Sequence, residues 1–251
     1  MCGKAAVSQL KWKDIYAWAS GLTKPEVLPA DPEDQINISP SRLRRKSEPD
    51  SMIWETLPAI YNNGGVDQAT QAAWPFLPYW SRGQLPRNKD GKILSTANAR
   101  LRHEAQPFAP SYMGAWSKDF RVLVPVSWFY EFDSRIRPQI PYAVFPLHAP
   151  FWLLCGLAST FTATDGSKKL SVSIITVEPN KVLKSVGHHR SPAIIRNPND
   201  AKRWLHAPKQ EALTLLSPFP EESMGVEAVE MGVKIPGNEK ITLPDCLKRR
   251  S

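Results

Sequence analysis

Four long apolar runs dominate the middle of the chain. Each run is rich in β-branched and aromatic residues and is bounded by turn-forming residues, a pattern typical of buried strands. The 24 prolines interrupt the chain throughout, which shortens secondary-structure elements and argues against a helical bundle. The pattern therefore predicts strands over residues 120–132, 141–147, 151–160 and 170–177.

Helical signals are fewer and lie in the last third of the chain. Asn180 is a typical N-cap for a short helix ending at Ser185, and Gly187 follows as a left-handed stop. Pro198 stands near the start of a second helix in "NPNDAKRWLHA", because proline favours the first helical position. The stretch "PKQEALTLL" predicts one or two further helical turns.

The polar stretches between these elements show no internal repeat and no clear linker. Segments 39–51 and 80–92 are basic and predict exposed loops. We therefore expect a single α+β domain over residues 1–251, with β-rich mixed sheets or an open barrel-like core and a few short helices. The core is expected over about residues 2–235, followed by a mobile basic tail at 245–251.

Charge and cysteine content narrow the range of possible functions. The formal net charge is +8 and the pI is near 9.4, which favours a polyanionic partner, nucleic acid first, over a merely basic protein. No stretch approaches the ~20 apolar residues that cross a bilayer, and no signal-peptide apolar region is visible. The three cysteines show neither a disulfide framework nor metal-ligand spacing. We expect a reducing compartment, with no metal and no organic cofactor.

Cys2 is the first residue with candidate chemistry. Removal of Met1, which precedes a small side chain, would leave Cys2 as the amino terminus. A free α-amine has a reference pKa near 7.7–8.0 and a thiol one near 8.5, so both are nucleophiles near neutral pH. A 1,2-aminothiol of this kind forms an imine with an aldehyde and then closes to a five-membered thiazolidine. The alternative is a cysteine that stands at position 2 by chance.

Three further stretches place polar groups at the ends of predicted elements. Asn98 and Arg100 lie in "STANARLR", Glu131 lies inside the aromatic run "SWFYEFD", and His188 follows a helix stop in "VGHHRSP". A carboxylate on a partly buried face suits general acid catalysis, and loops at element ends often hold catalytic groups. The alternatives are a glutamate that faces outward from an edge strand and a histidine loop that is only surface.

The ordered set of motifs resembles the SRAP family, named for SOS-response-associated peptidases. The resemblance extends from Cys2 to about Trp204. Its specific signal is the order of the set, with Met-Cys-Gly at the start and His-x-Arg-x-Pro near the end. The motifs are "MCG", "INISP", "WPFLPYW", "NAR", "RVLVPVSWFYEF", "PYAVF", "CGLAS", "SIIT" and "HHRSPAII".

The resemblance implies covalent chemistry on DNA. In this family the N-terminal cysteine attacks the ring-opened aldehyde of an abasic deoxyribose in single-stranded DNA, and the lasting product is a thiazolidine. Cys2 matches that nucleophile. Asn98 matches the asparagine that orients the sugar and the amine. Glu131 and His188 match the glutamate and histidine that move protons during ring opening and imine formation.

The resemblance also implies a groove for single-stranded DNA. Trp80 matches an aromatic residue that stacks on a base, although core packing is its alternative, and Thr176 matches a hydroxyl residue lining the site. Aromatic stacking plus a basic groove binds single strands without sequence preference. The other positions expected at the DNA are Gly3, Lys4, Asn37, Pro40, Arg42, Arg100 and Arg190.

Several departures from the family pattern bear on substrate preference and rate. Ser127 and Trp128 stand where the family usually has Asp-Gly, and a tryptophan for a glycine is expected to reshape the pocket wall. Arg102 stands where a carboxylate is common, and Lys4 replaces an arginine, which loses bidentate phosphate contact. None of these changes removes a proposed catalytic group.

Two other functions use the same features. One is an N-terminal-nucleophile peptidase in which Cys2 acts on amide bonds, including the protein's own N-terminus. The other is a non-catalytic module that binds single-stranded or modified DNA through charge and aromatic residues. The leading expectation is a monomer that crosslinks to and shields abasic sites in single-stranded DNA. It is expected in the cytoplasm, at the nucleoid of a bacterium or in the nucleus of a eukaryote, and not at a membrane.

Overall fold

Strands are the main regular secondary structure of the described residues. The computed structural model describes residues 3–40, 42–44, 52–133, 135–163, 165–231 and 241–242. Cys2 and the predicted tail lie outside these residues. The described strands are β1 (Lys4–Val7), β2 (Gln35–Ile38), β3 (Arg42–Arg44), β4 (Met52–Asn63), β5 (Val66–Trp74), β6 (Asn98–Arg100), β7 (Arg121–Val126), β8 (Trp128–Asp133), β9 (Ile140–Pro146), β10 (Trp152–Thr162), β11 (Lys168–Val177), β12 (Ser191–Pro192), β13 (Met224–Ala228), β14 (Glu230–Met231) and β15 (Ile241–Thr242).

The helices are short. Two of them lie in the first half of the chain, at positions that the apolar pattern does not mark. The described α-helices are α1 (Trp12–Trp18), α2 (Pro110–Ser117), α3 (Lys181–Ser185), α4 (Pro198–His206) and α5 (Lys209–Thr214), and 3-10 helices span Tyr79–Ser81 and Glu221–Ser223. No helix in the described part of the chain is long and apolar enough to cross a membrane.

Five strands of the larger sheet close into a barrel. Around the ring the pairs are β10–β7, β7–β4, β4–β5, β5–β11 and β11–β10, and β3, β6 and β12 extend the sheet. The β4–β5 hairpin turns at Gly64 and Gly65, both of which have positive φ, as a tight hairpin turn requires. The expected β-rich α+β class with a few short helices is therefore confirmed, and the barrel is closed rather than open.

The smaller sheet places the N-terminal strand in its interior. Its order is β13–β9–β8–β1–β2, so β1 pairs with β8 on one side and β2 on the other. The two sheets share one hydrophobic core, because Ala5 of β1 and Phe129 of β8 belong to the same buried cluster as Leu123 and Leu154 of the barrel.

The predicted strand over residues 120–132 is two strands that belong to different sheets. The break falls at Ser127, whose Oγ accepts a hydrogen bond from the Ser8 amide and donates one to the Ser8 carbonyl, both at 2.9 Å. The Ser127 amide also donates to the Ala6 carbonyl at 2.8 Å. These bonds attach the junction between β7 and β8 to the end of β1. The apolar pattern does not mark the break because residues 121–130 are all buried.

The helix ends follow the sequence signals. The Asn180 side chain accepts a hydrogen bond from the Leu183 amide at 3.0 Å, and Gly187 has φ of 76°, so the predicted cap and stop of α3 are confirmed. Pro198 begins α4, as predicted. The predicted loop over 39–51 is wrong in part, because Arg42–Arg44 pairs with β4. Residues 41 and 45–51 lie outside the described residues.

Candidate active site

Glu131 is buried on the barrel-facing side of β8. It is 1% exposed, so the alternative of a glutamate that faces outward from an edge strand is wrong. Side chains alternate along a strand. Phe129 packs in the main core, whereas Trp128 and Tyr130 pack in a separate cluster. Trp128 therefore lies on the face of β8 opposite Glu131, and the expectation that it reshapes the pocket wall is wrong.

His188 meets Glu131 across the two sheets. His188 Nε2 lies 2.7 Å from Glu131 Oε2, and the two side chains are 9% and 1% exposed. The helix end aims the imidazole, because the His188 amide donates to the Leu183 carbonyl at 2.9 Å while Gly187 turns the chain in the left-handed region. The short helix α3 and its stop therefore place this histidine at the buried carboxylate.

The two ring nitrogens of His188 face different groups. Nδ1 lies 3.2 Å from the Arg190 carbonyl, which only accepts, so Nδ1 carries a proton. Nε2 faces a carboxyl oxygen. The two atoms lie 2.7 Å apart, a distance over which a proton can pass between an imidazole and a carboxyl group.

The neighbouring histidine has a different environment. The His189 ring stacks on the His188 ring with centroids 5.8 Å apart and an angle of 11° between planes, and His189 is exposed. Partial burial lowers the pKa of His189, and the positive charges of Arg100 and Arg190 lower it further. Of these two imidazoles, His188 is the one in contact with the buried carboxylate.

Arg190 is held by the protein. Its guanidinium donates to the carbonyls of Leu101 (3.3 Å) and Thr176, and to a Glu178 carboxylate oxygen at 2.6 Å. The side chain is 7% exposed, and burial lowers its pKa. Its carbonyl is the acceptor for His188 Nδ1. Arg190 thus ties β6 and β11 to the histidine loop, and its expected DNA contact stays a prediction.

Asn98, Arg100 and Thr176 lie on adjacent strands of the larger sheet. In the parallel β6–β11 pair, Asn98 is opposite Ile174 and Arg100 is opposite Thr176. The Tyr112 hydroxyl donates to the Asn98 carbonyl at 3.2 Å, and burial raises the pKa of that phenol to about 12. Arg100 is exposed. Thr176 Oγ1 is buried and has no hydrogen-bond partner among the described residues, so it can serve a ligand.

The N-terminal strand β1 runs beside β8, the strand that carries the buried carboxylate. The β1–β8 register pairs Ala6 with Trp128, Ala5 with Phe129 and Lys4 with Tyr130. One further step of this antiparallel register places Gly3 opposite Glu131. Cys2 precedes Gly3 in the chain and lies outside the described residues, so its predicted role stays a prediction.

Strand β2 and the residues after it form the other side of this region. Asn37 lies on β2, next to β1, and Pro40 follows that strand. Asn37 Oδ1 is buried without a hydrogen-bond partner among the described residues. Burial raises the pKa of Glu55, while the Ser39 amide, 2.5 Å away, and the charge of Lys4 oppose the rise. Lys4 therefore has a carboxylate near its ammonium group.

Trp80 and Arg42 are the two remaining positions that were predicted to contact DNA. Trp80 is 49% exposed, so the core-packing alternative is wrong and its ring is available for stacking. Tyr79 beside it is 70% exposed, with Lys118 Nζ 5.5 Å from its ring centroid. Sequence reasoning missed Tyr79, although it stands in the same "WPFLPYW" motif. Arg42 is placed on β3, and its side chain is outside the described residues.

The fold thus brings most of the predicted site residues onto neighbouring strands. Glu131, Lys4 and Asn37 lie on the smaller sheet, and Gly3 directly precedes it. Asn98, Arg100 and Thr176 lie on the larger sheet, and Arg190 directly precedes its strand β12. The His188–Glu131 contact joins the two groups. The described residues contain no group of three or more His, Cys, Asp or Glu side chains that could hold a metal ion.

Comparison with known proteins gives a consistent family. The family model described as SOS response associated peptidase (SRAP) matches residues 1–236. The abasic site processing protein YoaM of Bacillus subtilis is 26% identical over 75% of this chain and 80% of its own length. The abasic site processing protein HMCES of Gallus gallus is 26% identical over 69% of this chain, and the match spans 55% of that relative's length.

Solved structures share the fold. A protein from Bacteroides thetaiotaomicron superposes with a TM-score of 0.67 and 21% identity, covering 91% of this chain and 92% of the other. A phage-related protein from Bordetella bronchiseptica gives a TM-score of 0.62 and 18% identity, covering 91% and 94% of the two chains. At this level of identity the similarity concerns the fold.

Proposed function

Because the chain belongs to the SOS response associated peptidase (SRAP) family, we propose that it processes abasic sites in damaged DNA and captures them covalently through Cys2. Two relatives carry the name abasic site processing protein, which supports the abasic site as substrate. The observation that carries the covalent proposal is the buried Glu131–His188 pair. Glu131 lies on β8, the strand that pairs with β1, and β1 begins two residues after Cys2.

The proposed reaction needs no redox partner. The closed abasic sugar is a hemiacetal, and protonation of its ring oxygen opens it to an aldehyde. The neutral α-amine of Cys2 then forms a C–N bond, and the resulting carbinolamine loses water to give an imine. The Cys2 thiolate adds to the imine carbon, the nitrogen takes up a proton, and the five-membered thiazolidine closes.

The Glu131–His188 pair supplies the proton transfers in this scheme. Ring opening and loss of water both need a proton donor, and attack by the amine needs a proton acceptor. Nε2 and Oε2 lie 2.7 Å apart, so the pair is proposed to give a proton to the substrate and to take one back. A group positioned in this way typically contributes about 10²–10⁴-fold to rate. Asn98 is proposed to orient the sugar and the amine.

The proposed partner is single-stranded DNA. The exposed Arg100 and the half-exposed Trp80 support a backbone contact and a stacked base. Gly3, Lys4, Asn37, Pro40, Arg42, Thr176 and Arg190 complete the proposed contact set. The buried Oγ1 of Thr176 and Oδ1 of Asn37 are acceptors that a sugar or phosphate ester can meet through hydroxyl groups or water.

The decisive experiment is a denaturing gel with single-stranded DNA carrying one abasic site. Intact DNA, Cys2→Ala and Glu131→Gln are run beside the wild type, and mass spectrometry checks that Met1 is absent. We expect a heat-stable shifted band that needs both the abasic site and Cys2, and a band that forms about a hundredfold more slowly in Glu131→Gln. No band from wild-type protein with a free Cys2 would sink the proposal.

Borohydride separates the two nucleophiles of Cys2. The Cys2→Ala protein keeps an N-terminal amine, so reduction should trap its imine as a shifted band that is absent without reductant. A peptidase would instead cleave peptides in a Cys2-dependent way and form no band with abasic DNA. A non-catalytic binding module would bind intact and abasic strands equally in both proteins.

A further inference from the structure

We propose that Asp133 and Arg135 form a positioning pair that holds His188 against Glu131. This inference rests on the proposed function, because the reaction it serves is the capture of abasic sites. Asp133 follows Glu131 by two residues on β8, so the two side chains leave the same face of the strand. Asp133 ends the stretch "SWFYEFD" that contains Glu131, and Arg135 lies just beyond it; neither is among the residues predicted to react.

The contacts within the pair are short and multiple. Asp133 is 2% exposed. Its Oδ1 accepts hydrogen bonds from the Arg135 amide and Nε, both at 2.9 Å, and its Oδ2 accepts one from Arg135 Nη2 at 2.7 Å. A guanidinium that binds a carboxylate at two points is fixed in orientation as well as in distance. Arg135 is therefore held in one place although its side chain is 58% exposed.

Arg135 also holds the helix end that carries His188. Its Nη2 donates to the Ser185 carbonyl at 2.9 Å, and Ser185 is the last residue of α3. A carbonyl at a helix C-terminus has no partner within the helix, so a cation there is favourable. The pair thus links β8, which carries Glu131, to the segment that begins the histidine loop.

Gly187 shows how closely the histidine loop passes over the pair. A Cβ atom at this position would lie 2.4 Å from Asp133 Oδ1 and 2.6 Å from Arg135 Nε. Gly187 also has φ of 76°, which disfavours other residues. Asp133 and Arg135 therefore form the surface on which the residue before His188 rests, and they fix the height of the imidazole above β8.

Rate measurements in the wild-type protein and in the His188→Ala protein test the Asp133–Arg135 pair. Single-turnover crosslinking is measured for wild type, Arg135→Ala, Arg135→Lys and the matched control Arg137→Ala, which removes the same charge from the same loop. We expect Arg135→Ala to slow the reaction at least about tenfold, because small displacements of a catalytic group are costly. Arg135→Lys keeps the charge but loses the two-point contact with Asp133, so its rate should lie between those of wild type and Arg135→Ala. Arg137→Ala should react at the wild-type rate.

The second background distinguishes positioning from general loss of structure. If Arg135 acts through His188, the His188→Ala protein should react equally slowly with and without Arg135→Ala, because two residues in one unit are not additive. Equal slowing in both backgrounds would overturn the proposal, as would an Arg135→Ala rate that matches Arg137→Ala.

A spectroscopic measurement makes the test independent of crosslinking. Protein labelled with ¹⁵N in histidine is compared by NMR, and the His188 ring signals are assigned by their loss in His188→Ala. We expect the Nδ1 and Nε2 shifts of His188 to change in Arg135→Ala and Arg135→Lys and to stay fixed in Arg137→Ala. Unchanged shifts would overturn the positioning pair. If the shifts change but the wild-type protein never crosslinks, the positioning role of Asp133 and Arg135 is supported and the proposed reaction is rejected.

Discussion

At the scale of single residues, Asp133 illustrates how pairing sets a charge state. The hydrogen bonds from Arg135 hold the pKa of this buried carboxyl below its ordinary value. The native protein therefore binds this proton less readily than the unfolded chain does. The ionised carboxylate contributes stability above the unfolded pKa near 3.9, and this contribution is lost as the pH falls through the lower native pKa.

We expect Asp133→Asn to unfold at a lower temperature than wild type at pH 7. The gap between the two proteins should narrow as the pH falls from about 4 towards 2, since the wild-type carboxyl is then neutral as well. Thermal unfolding followed by circular dichroism across this range measures the gap. The control is Glu26→Gln, which removes an exposed carboxylate. A gap that stays constant with pH would show that the charge of Asp133 is not its source.

The same scale shows what a motif can predict. Glu131 and His188 were predicted from separate motifs, and their side chains lie 2.7 Å apart in the fold. Arg190 was selected by the same motif, yet three acceptors of the protein already bind its guanidinium. A motif predicts a residue at the site but not which of its atoms other parts of the protein already bind. That distinction depends on neighbours far apart in sequence, such as Leu101 and Glu178.

At the scale of elements, the junction between β7 and β8 determines where β1 lies. Ser127 is 3% exposed, and its hydroxyl exchanges two 2.9 Å hydrogen bonds with the backbone of Ser8. These bonds fasten the end of β1 at the position where the chain passes from the barrel to the smaller sheet. The register that brings Gly3 to Glu131 begins only two residues away, at Ala6.

Ser127→Ala should therefore destabilise the protein by about 1–3 kcal/mol, because it leaves buried backbone groups of Ser8 without their side-chain partner. Hydrogen exchange should quicken at the Ser8 amide, and urea unfolding measures the loss. Ser159→Ala is the matched control, since that buried hydroxyl makes only a long 3.5 Å contact with the Thr160 carbonyl among the bonds described here. Equal effects of the two substitutions would contradict a special role for the Ser127 bonds.

The ends of helices and strands were predictable where residues close in sequence determine them. They were not predictable where contacts with distant parts of the chain determine them. The caps Asn180 and Gly187 correctly bounded α3, because both act within a few residues. The continuous run at 120–132 concealed a break, because full burial on both sides of Ser127 removes the alternation that reveals a strand end. The β4–β5 hairpin was missed although its Asn63-Gly64-Gly65 turn is a hairpin signal.

At the scale of the whole molecule, the proposed DNA groove lies at one end of the barrel. Glu55, near Lys4 and Ser39, marks this end of β4. Seven residues later Asn62 contacts Asp67, a fully buried carboxylate that also binds His206 at 2.8 Å and the Thr23 amide at 2.8 Å. At about 3.3 Å per strand residue, these two ends are roughly 23 Å apart. A short single strand of DNA that binds at the groove therefore does not reach the cations at the far end.

The net charge of +8 can attract DNA either diffusely or at this groove, and substitutions at the two ends distinguish these cases. Binding of intact single-stranded DNA is measured against salt concentration. We expect Arg100→Ala to reduce the slope of log K against log salt by about 0.7, the value for one single-strand phosphate contact. Lys24→Ala, beside Thr23 at the far end, should leave the slope unchanged.

Trp80 should contribute to the same binding in a way that salt does not alter. Loss of one stacked base costs about 1–3 kcal/mol, so Trp80→Ala should weaken affinity by roughly 5- to 150-fold at every salt concentration. Stacking on the aromatic ring neutralises no phosphate, and the slope should therefore match wild type. If Lys24→Ala lowered the slope as much as Arg100→Ala, or if Trp80→Ala bound normally, the positive charge would act diffusely and the groove would not be the path of the strand.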